Sequence, residues 1–410
     1  MYDENDQQYL DCINNVCHVG HCHPKTVQAG AEQMKKLNTN SRFLHDNIVL
    51  LAQKLVSTMP SSLCMVYFTN SGSEANDLAI RLSRHHTKAT EIISLDRAYH
   101  GHVISLIDIS TYKLDKMVDG VHKKPDFVHI AECPDSFRGK YTKRDHPGED
   151  LGALYASNID DIIEEIHKKN KNVTCFIAES MQSCGGQVIY PPGYLDKVFK
   201  SVRAAGGVCI MDEVQVGFGR VGTHMWSFDA QGVVPDIVTL GKPMGNGHPI
   251  SAVITTREIA ASFEACGVEY FNTYGGNPVS CAIGLAVLDV IESEDLMGNA
   301  INIGEAMGKR LHELKEKYTI IGDVRGVGMF WGLDLVKNRT TCEPATEEAA
   351  FVVKRLKEGH ILFSRDGPHE NVLKFKPPMC FDLANVDTLV TNLDRIFSEL
   401  NMGKENSCES

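Results

Sequence analysis

Short runs of aliphatic and β-branched residues recur through the first two-thirds of the chain. Most give way directly to a polar or glycine-containing segment. The pattern predicts strands over 65–69, 91–95, 173–178, 207–211, 236–240 and 252–256. Helical spacing of apolar positions predicts helices over 74–85, 160–169 and 193–205. Strands that alternate with helices form a mostly parallel sheet covered on both faces. Such sheets place ligands at the carboxyl ends of their strands. Beyond about residue 297, predicted helices over 300–317, 346–358 and 385–400 frame short strands over 329–335, 360–363 and 372–375. The fold class is therefore α/β. The expected organisation is an N-terminal segment 1–45, a large domain 46–296, a smaller α+β domain 297–402 and a tail 403–410. The charged stretch 140–152, with its Pro-Gly pair, reads as a surface loop.

Composition narrows the function. The 410 residues carry 53 acidic and 41 basic side chains, net −12, which argues against a broad nucleic-acid surface. No apolar run approaches the ~20 residues that span a membrane. Thirteen cysteines, an odd and scattered set, read as reduced thiols. The opening MYDENDQQYLD has neither an apolar signal core nor an arginine-rich transit pattern, so the chain by itself points to the cytosol.

Three segments carry chemistry. TNSGSEAND, at 69–77, takes a strand through Ser71, Gly72 and Ser73 into a helix. Small residues at that turn leave backbone N–H groups free at the positive helix end, a cup for phosphate. MDEVQVGFGR, at 211–220, ends an apolar strand at Asp212, where a carboxylate can hold a protonated ring nitrogen, with Gln215 in reach of a ring substituent. TLGKPMGNG, at 239–247, ends another strand at Lys242, fixed between Gly241 and Pro243. A partly desolvated lysine has a lowered pKa and can form a Schiff base with an aldehyde. Two other readings compete. Residues 217–222 match G-x-G-x-x-G literally, but aromatics follow where a nucleotide-binding helix needs small residues. Cys17, His18, His21, Cys22 and His23 crowd together like metal ligands, yet zinc pairs need wider spacing and a distant second pair.

In that chain order the segments, together with GHCHP (20–24), AYHGH (98–102), IAES (177–180) and TYGGNPVSCA (273–282), make the sequence resemble class III aminotransferases of fold type I, over nearly its whole length. The resemblance implies pyridoxal 5'-phosphate as cofactor. Gly72 and Ser73, with Ser71, would hold its phosphate and Tyr99 would stack on its ring, with His100 beside it. Asp212 would pair with the ring nitrogen, Gln215 would face the ring hydroxyl, and Glu179 would line the site. Lys242 would carry the Schiff base and shuttle the proton, making Lys242 and Asp212 the catalytic pair. Thr273 would reach the cofactor phosphate of a neighbouring subunit, implying a homodimer or dimer of dimers with shared sites. The family's GH-x-HP turn accounts for the histidine cluster without metal.

Within the class, IAESMQSCGG, GKPMGNGHP and KFKPPMCF are similar to the branch that eliminates phosphate from O-phosphoethanolamine or 5-phosphohydroxy-lysine. An alanine–glyoxylate type of transaminase is the alternative. Ornithine-type members place a Glu where Cys184 stands and an α-carboxylate-gripping Arg where Lys374 stands. Lysine is a point charge, not a planar fork. A substrate recognised by phosphate tolerates that swap, and Arg42 is a further candidate contact for phosphate or carboxylate. The resemblance also implies mitochondrial localisation and a longer lead-in before residue 3 that would help build the pocket.

Overall fold

The computed structural model describes residues 1–112 and 124–408. A two-residue strand, β1 (Leu10–Asp11), comes first, followed by the seven strands of the main sheet. These are β2 (Met65–Thr69), β3 (Glu91–Leu95), β4 (Val128–Ala131), β5 (Val173–Glu179), β6 (Val208–Asp212), β7 (Ile237–Leu240) and β8 (Ser251–Thr255). They lie in the order β2-β8-β7-β6-β5-β3-β4. Every neighbouring pair is parallel except the two made by β8, which runs antiparallel to both β2 and β7. The mostly parallel sheet expected from the sequence is present. β4 escaped the hydrophobic pattern because VHIA is short and carries a histidine.

Both faces of the sheet are buried, and side chains sort by alternation. Phe176, Ala178, Cys209 and Met211 belong to one core, with the helices Leu151–Lys168, Tyr194–Ala204 and Pro278–Ser293. Cys175, Ile177, Val208 and Ile210 belong to the other, with the helix Gly72–Thr87. The predicted helix 160–169 is only the second half of Leu151–Lys168, which begins where the 140–152 loop was expected to end. Asp150 caps it, accepting from Ala153 N–H at 2.9 Å.

The second sheet is antiparallel. β10 (Phe330–Asn338) pairs with β9 (Ile321–Val327) on one side and with β11 (Glu343–Pro344) and β14 (Val372–Phe375) on the other. β13 (Ser364–Asp366) lies beyond β14, and β12 (Ile361–Leu362) pairs in parallel with β1. The final helix, Leu383–Cys408, takes up the expected tail through Cys408, and the last two residues lie outside the described ones.

The N-terminal segment is strapped across this second unit. Lys376 N–H donates to Cys12 O at 2.9 Å and Met379 N–H to His18 O at 2.7 Å. Arg220 and His18, both fully buried, complete the bracket. Arg220 donates to Met329 O, Pro377 O and His18 Nδ1, at 3.2, 2.8 and 3.1 Å. That leaves the proton on Nε2, which donates to Phe218 O at 2.7 Å. Burial, then Arg220, pushes His18 down to about 3, so the ring stays neutral. The remaining histidines of the cluster are also committed: His21 meets Asp11 at 2.6 Å, and His23 caps the helix Pro24–Lys36 and faces Glu294. Residues 217–222 form successive turns rather than opening a helix, which removes the nucleotide-motif reading.

Arg220→Met would leave the buried Met329 and Pro377 carbonyls without these donors. The expected cost is about 2–4 kcal/mol of unfolding free energy. Urea unfolding of the cofactor-free protein measures it, and a loss below about 1 kcal/mol would show the bracket dispensable.

Candidate active site

A cleft of about 300 Å³ opens at the carboxyl ends of β2, β6 and β7. Ser71, Gly72, Ser73, Asn76, Tyr99, His100, Asp212, Gln215 and Lys242 line it, together with Val16 from the N-terminal segment. The three chemical segments of the sequence therefore converge.

The turn after β2 folds as a capped helix start. Ser71 Oγ accepts from Glu74 N–H at 3.2 Å, and Glu74 Oε2 accepts from Asn70 N–H at 2.8 Å. Gly72 and Ser73, at the first helical positions, have no carbonyl four residues back inside the helix. Their N–H groups stay available to an anion at the positive end of a 16-residue helix. A Cβ on Gly72 would meet the Val214 methyls at 3.0 Å, and one on Gly101 would meet Ser73 Oγ at 2.4 Å. Glycine keeps this cup open.

Asp212 is 3% exposed and held by three donors. Asn76 Nδ2 donates to Oδ2 at 2.7 Å and His100 Nδ1 to the same oxygen at 2.9 Å, while Val214 N–H donates to Oδ1 at 3.0 Å. Asn76 is itself fixed, because Thr239 Oγ1 donates to its Oδ1 at 2.6 Å. Oδ1 keeps acceptor capacity for one more donor. Across the β5–β6 pair Glu179 is the register partner of Asp212. Glu179 accepts from Tyr99 N–H at 3.4 Å and Ser183 N–H at 3.1 Å. Burial, and next the Asp212 charge, pushes its carboxyl up to about 7.

Lys242 follows β7, half-buried, at φ +29°. A non-glycine residue there stores on the order of 1–3 kcal/mol of backbone strain, a cost concentrated at functional positions. Its amine has neither a hydrogen bond nor an ion pair among the described residues.

Five predicted residues lie outside the cleft lining, among them Glu179, buried beside Asp212. Arg42 is exposed, its guanidinium 4.7 Å above the Phe271 ring and away from the cleft of its own chain. Thr273 is exposed and outside the lining. Cys184 is half-buried and outside the lining, its thiol pushed up to about 11 by burial and then by Glu179. Lys374 is ion-paired with Asp366, which also accepts from the Tyr112 hydroxyl.

Residues 1–397 match the family model "Aminotransferase class-III". The chain is 55% identical over 388 residues to an "Alanine–glyoxylate aminotransferase 2-like" protein of Drosophila melanogaster, covering 94% of this chain and 78% of that one. It is 46% identical to "Ethanolamine-phosphate phospho-lyase homolog 1" of Caenorhabditis elegans, covering 98% and 87%. Among solved structures, a phospholyase from Arthrobacter in complex with phosphoethanolamine superposes with a TM-score of 0.90 at 38% identity, covering 97% of this chain and 92% of that one.

The chain belongs to the class III aminotransferase family.

Its fold is fold type I and its cofactor is pyridoxal 5'-phosphate. The cleft of this class III enzyme fits that group. The Gly72–Ser73 cup would take the phosphate, Tyr99 and Val214 flank the space for the ring, Asp212 has room for one donor, and the free Lys242 amine would take the aldehyde carbon.

Reading the sequence missed Asn15, Asn76, Ser183 and Lys376. Asn76 stood inside the recognised SGSEAND segment, four residues into the helix, and could have been found there as a polar residue at a helix position facing the sheet. Nothing local marks Asn15 or Lys376, whose neighbours are distant in the chain.

A carboxyl raised to about 7 from 4.5 means that folded Glu179 keeps a proton the unfolded chain has lost. Its contribution to stability is therefore shed as pH climbs from about 4.5 through 7, by up to about 3 kcal/mol. Glu179→Gln removes that titration. Urea unfolding of cofactor-free protein at pH 5 and pH 8 should find the variant gaining on wild type at the higher pH. An unchanged difference between the two pH values would contradict the assignment.

Proposed function

We propose that this enzyme is a phospho-lyase that eliminates phosphate from a small phosphorylated amine, O-phosphoethanolamine being the favoured substrate. The observation that carries this is the state of Lys374. At the position where relatives that bind amino acids offer a planar cation to an α-carboxylate, this chain has a lysine whose charge is committed to Asp366. An amine without an α-carboxylate needs no such clamp. The names of the Caenorhabditis relative and the Arthrobacter structure support the same reading. The name of the Drosophila relative favours an alanine–glyoxylate type of transaminase as the second reading.

Bound, the cofactor supplies an electron sink that lets a proton leave the carbon bearing the substrate nitrogen. Lys242, whose amine has no partner among the described residues, would be the base that takes that proton. Asp212, fixed by Asn76 and His100, would present a carboxylate to the ring nitrogen and keep the sink electron-poor. The C–O bond to phosphate then breaks, its electron pair leaving with the phosphate. The released enamine adds water and yields acetaldehyde and ammonia.

The same proposal includes a homodimer. Phe43 (77% exposed), Leu44 (85%) and Ile104 (86%) form with Phe271 and Tyr274 a set of exposed large apolar side chains. Arg42 stacked on Phe271 joins two of these segments. A second copy covering them would take up both Arg42 and Thr273. Mitochondrial localisation is proposed because relatives from Homo sapiens and Arabidopsis thaliana are named mitochondrial.

Purified protein loaded with pyridoxal phosphate should release phosphate and acetaldehyde from O-phosphoethanolamine without any keto acid. Lys242→Ala should lower that rate by about 10³-fold or more. Alanine consumed on adding glyoxylate, with no phosphate released, would establish the transaminase instead. Sedimentation should show a dimer, and Leu44→Asp should shift it towards monomer; a monomeric wild type would remove the shared-site reading.

A further inference from the structure

Lys376 is 3% exposed, and no carboxylate lies within ion-pairing distance of it among the described residues. Its Nζ donates to Ser183 Oγ at 2.6 Å and to Gln215 Oε1 at 3.1 Å. Asn15 Nδ2 donates to the same Gln215 oxygen at 2.9 Å and to the Gln215 backbone carbonyl at 3.1 Å. A carbonyl oxygen has two lone pairs, and both are now used. Gln215 therefore cannot turn its oxygen into the cleft it lines. Its amide N–H₂ edge, with no acceptor among the described residues, is the edge left to face a ligand.

We propose that Lys376 is a positioning residue for the cofactor's ring oxygen, acting through Gln215. Two donors clamp the amide oxygen from behind, so the amide presents N–H groups to the ring oxygen. The ammonium behind the amide polarises it and favours a negative ring oxygen. The charged and titratable groups around Lys376 are Lys374 on its own strand segment, Cys184 after β5, Lys242 after β7 and Asp366 on β13. Of these lysines, among the described residues, Lys374 alone has a carboxylate partner. Burial, then Lys374, draws the Lys376 ammonium down to about 7, which marks how little else around it offsets its charge. The inference rests on the cofactor and the amide geometry, whichever reaction the site performs.

The test reads the visible absorbance of the holoenzyme, with pyridoxal phosphate bound and no substrate, across pH. A cation near the ring oxygen disfavours a proton on the Lys242–cofactor linkage. Lys376→Met should therefore move the colour change upward by about half a pH unit or more. Gln215→Ala should move it the same way. The double variant should move it no further than the larger single shift, because both changes cut one path. Lys374→Met, which removes a lysine already paired with Asp366, should move it less than Lys376→Met. If Lys376→Met does not fold, Lys376→Gln removes the charge and should give the same shift. A wild-type titration in a folded, loaded Lys376 variant would overturn the proposal. So would shifts that add in the double variant, or a Lys374→Met shift as large as that of Lys376→Met.

Discussion

The site depends on one constraint, a carboxylate held by three donors at the buried end of a central strand. Asp212 closes β6, with parallel strands on both sides. Taking a carboxylate out of water costs several kcal/mol unless its oxygens are satisfied. Asn76, His100 and the Val214 N–H supply that satisfaction from three separate pieces of chain. Two of these donors are themselves held: Asn76 by Thr239 on β7, and His100 through its backbone N–H to Ser110 Oγ at 2.9 Å. The arrangement spends two donors on Oδ2 and one on Oδ1, so the remaining acceptor faces the cleft. Glu179 beside it keeps a proton first because it is buried and next because Asp212 ends the adjacent strand.

From that fixed point the rest of the cleft follows as strand-end geometry. β7 neighbours β6, so its carboxyl end brings Lys242, at φ +29°, into the same cleft as Asp212. The fourth wall comes from outside the sheet. Val16 and Asn15 reach the cleft because the segment containing them is stitched to the second unit by Cys12–Lys376, His18–Met379 and the buried Arg220 bracket. Loosening that strap would move a clamp on Gln215 without touching a strand.

What was legible in the sequence was whatever repeats locally. β2 and β3 were placed to the residue, as was β14, since each is a clean apolar run with marked ends. The cofactor segments were legible because glycine, small polar residues and a lone charge at a strand end are readable together. The missed β9 contains IGDVRGV, where glycines and charges hide the alternation and pairing with β10 alone makes it a strand. The missed site residues failed for a related reason. Asn15 and Lys376 are separated from Gln215 by about 200 and 161 positions, and only tertiary contact gives them meaning.

The two lysines of KFKPP show how far residue type falls short of function. Lys374 lies on β14 opposite Gly332 of β10, and Lys376 stands two positions on, just past the strand end. The aligned one, Lys374, looked like the substrate cation, yet Asp366 on β13 sits against it and neutralises it. The unremarked one, Lys376, escapes that partner by one step of the strand and lies instead behind the amide of Gln215. A family that uses an arginine at the first position gains a substrate clamp. This chain closes that position on its own Asp366, while the second lysine, without an ion pair among the described residues, lies at Gln215. The two lysines thus serve different ends: one closes an ion pair with Asp366, and the other lies against the amide of Gln215.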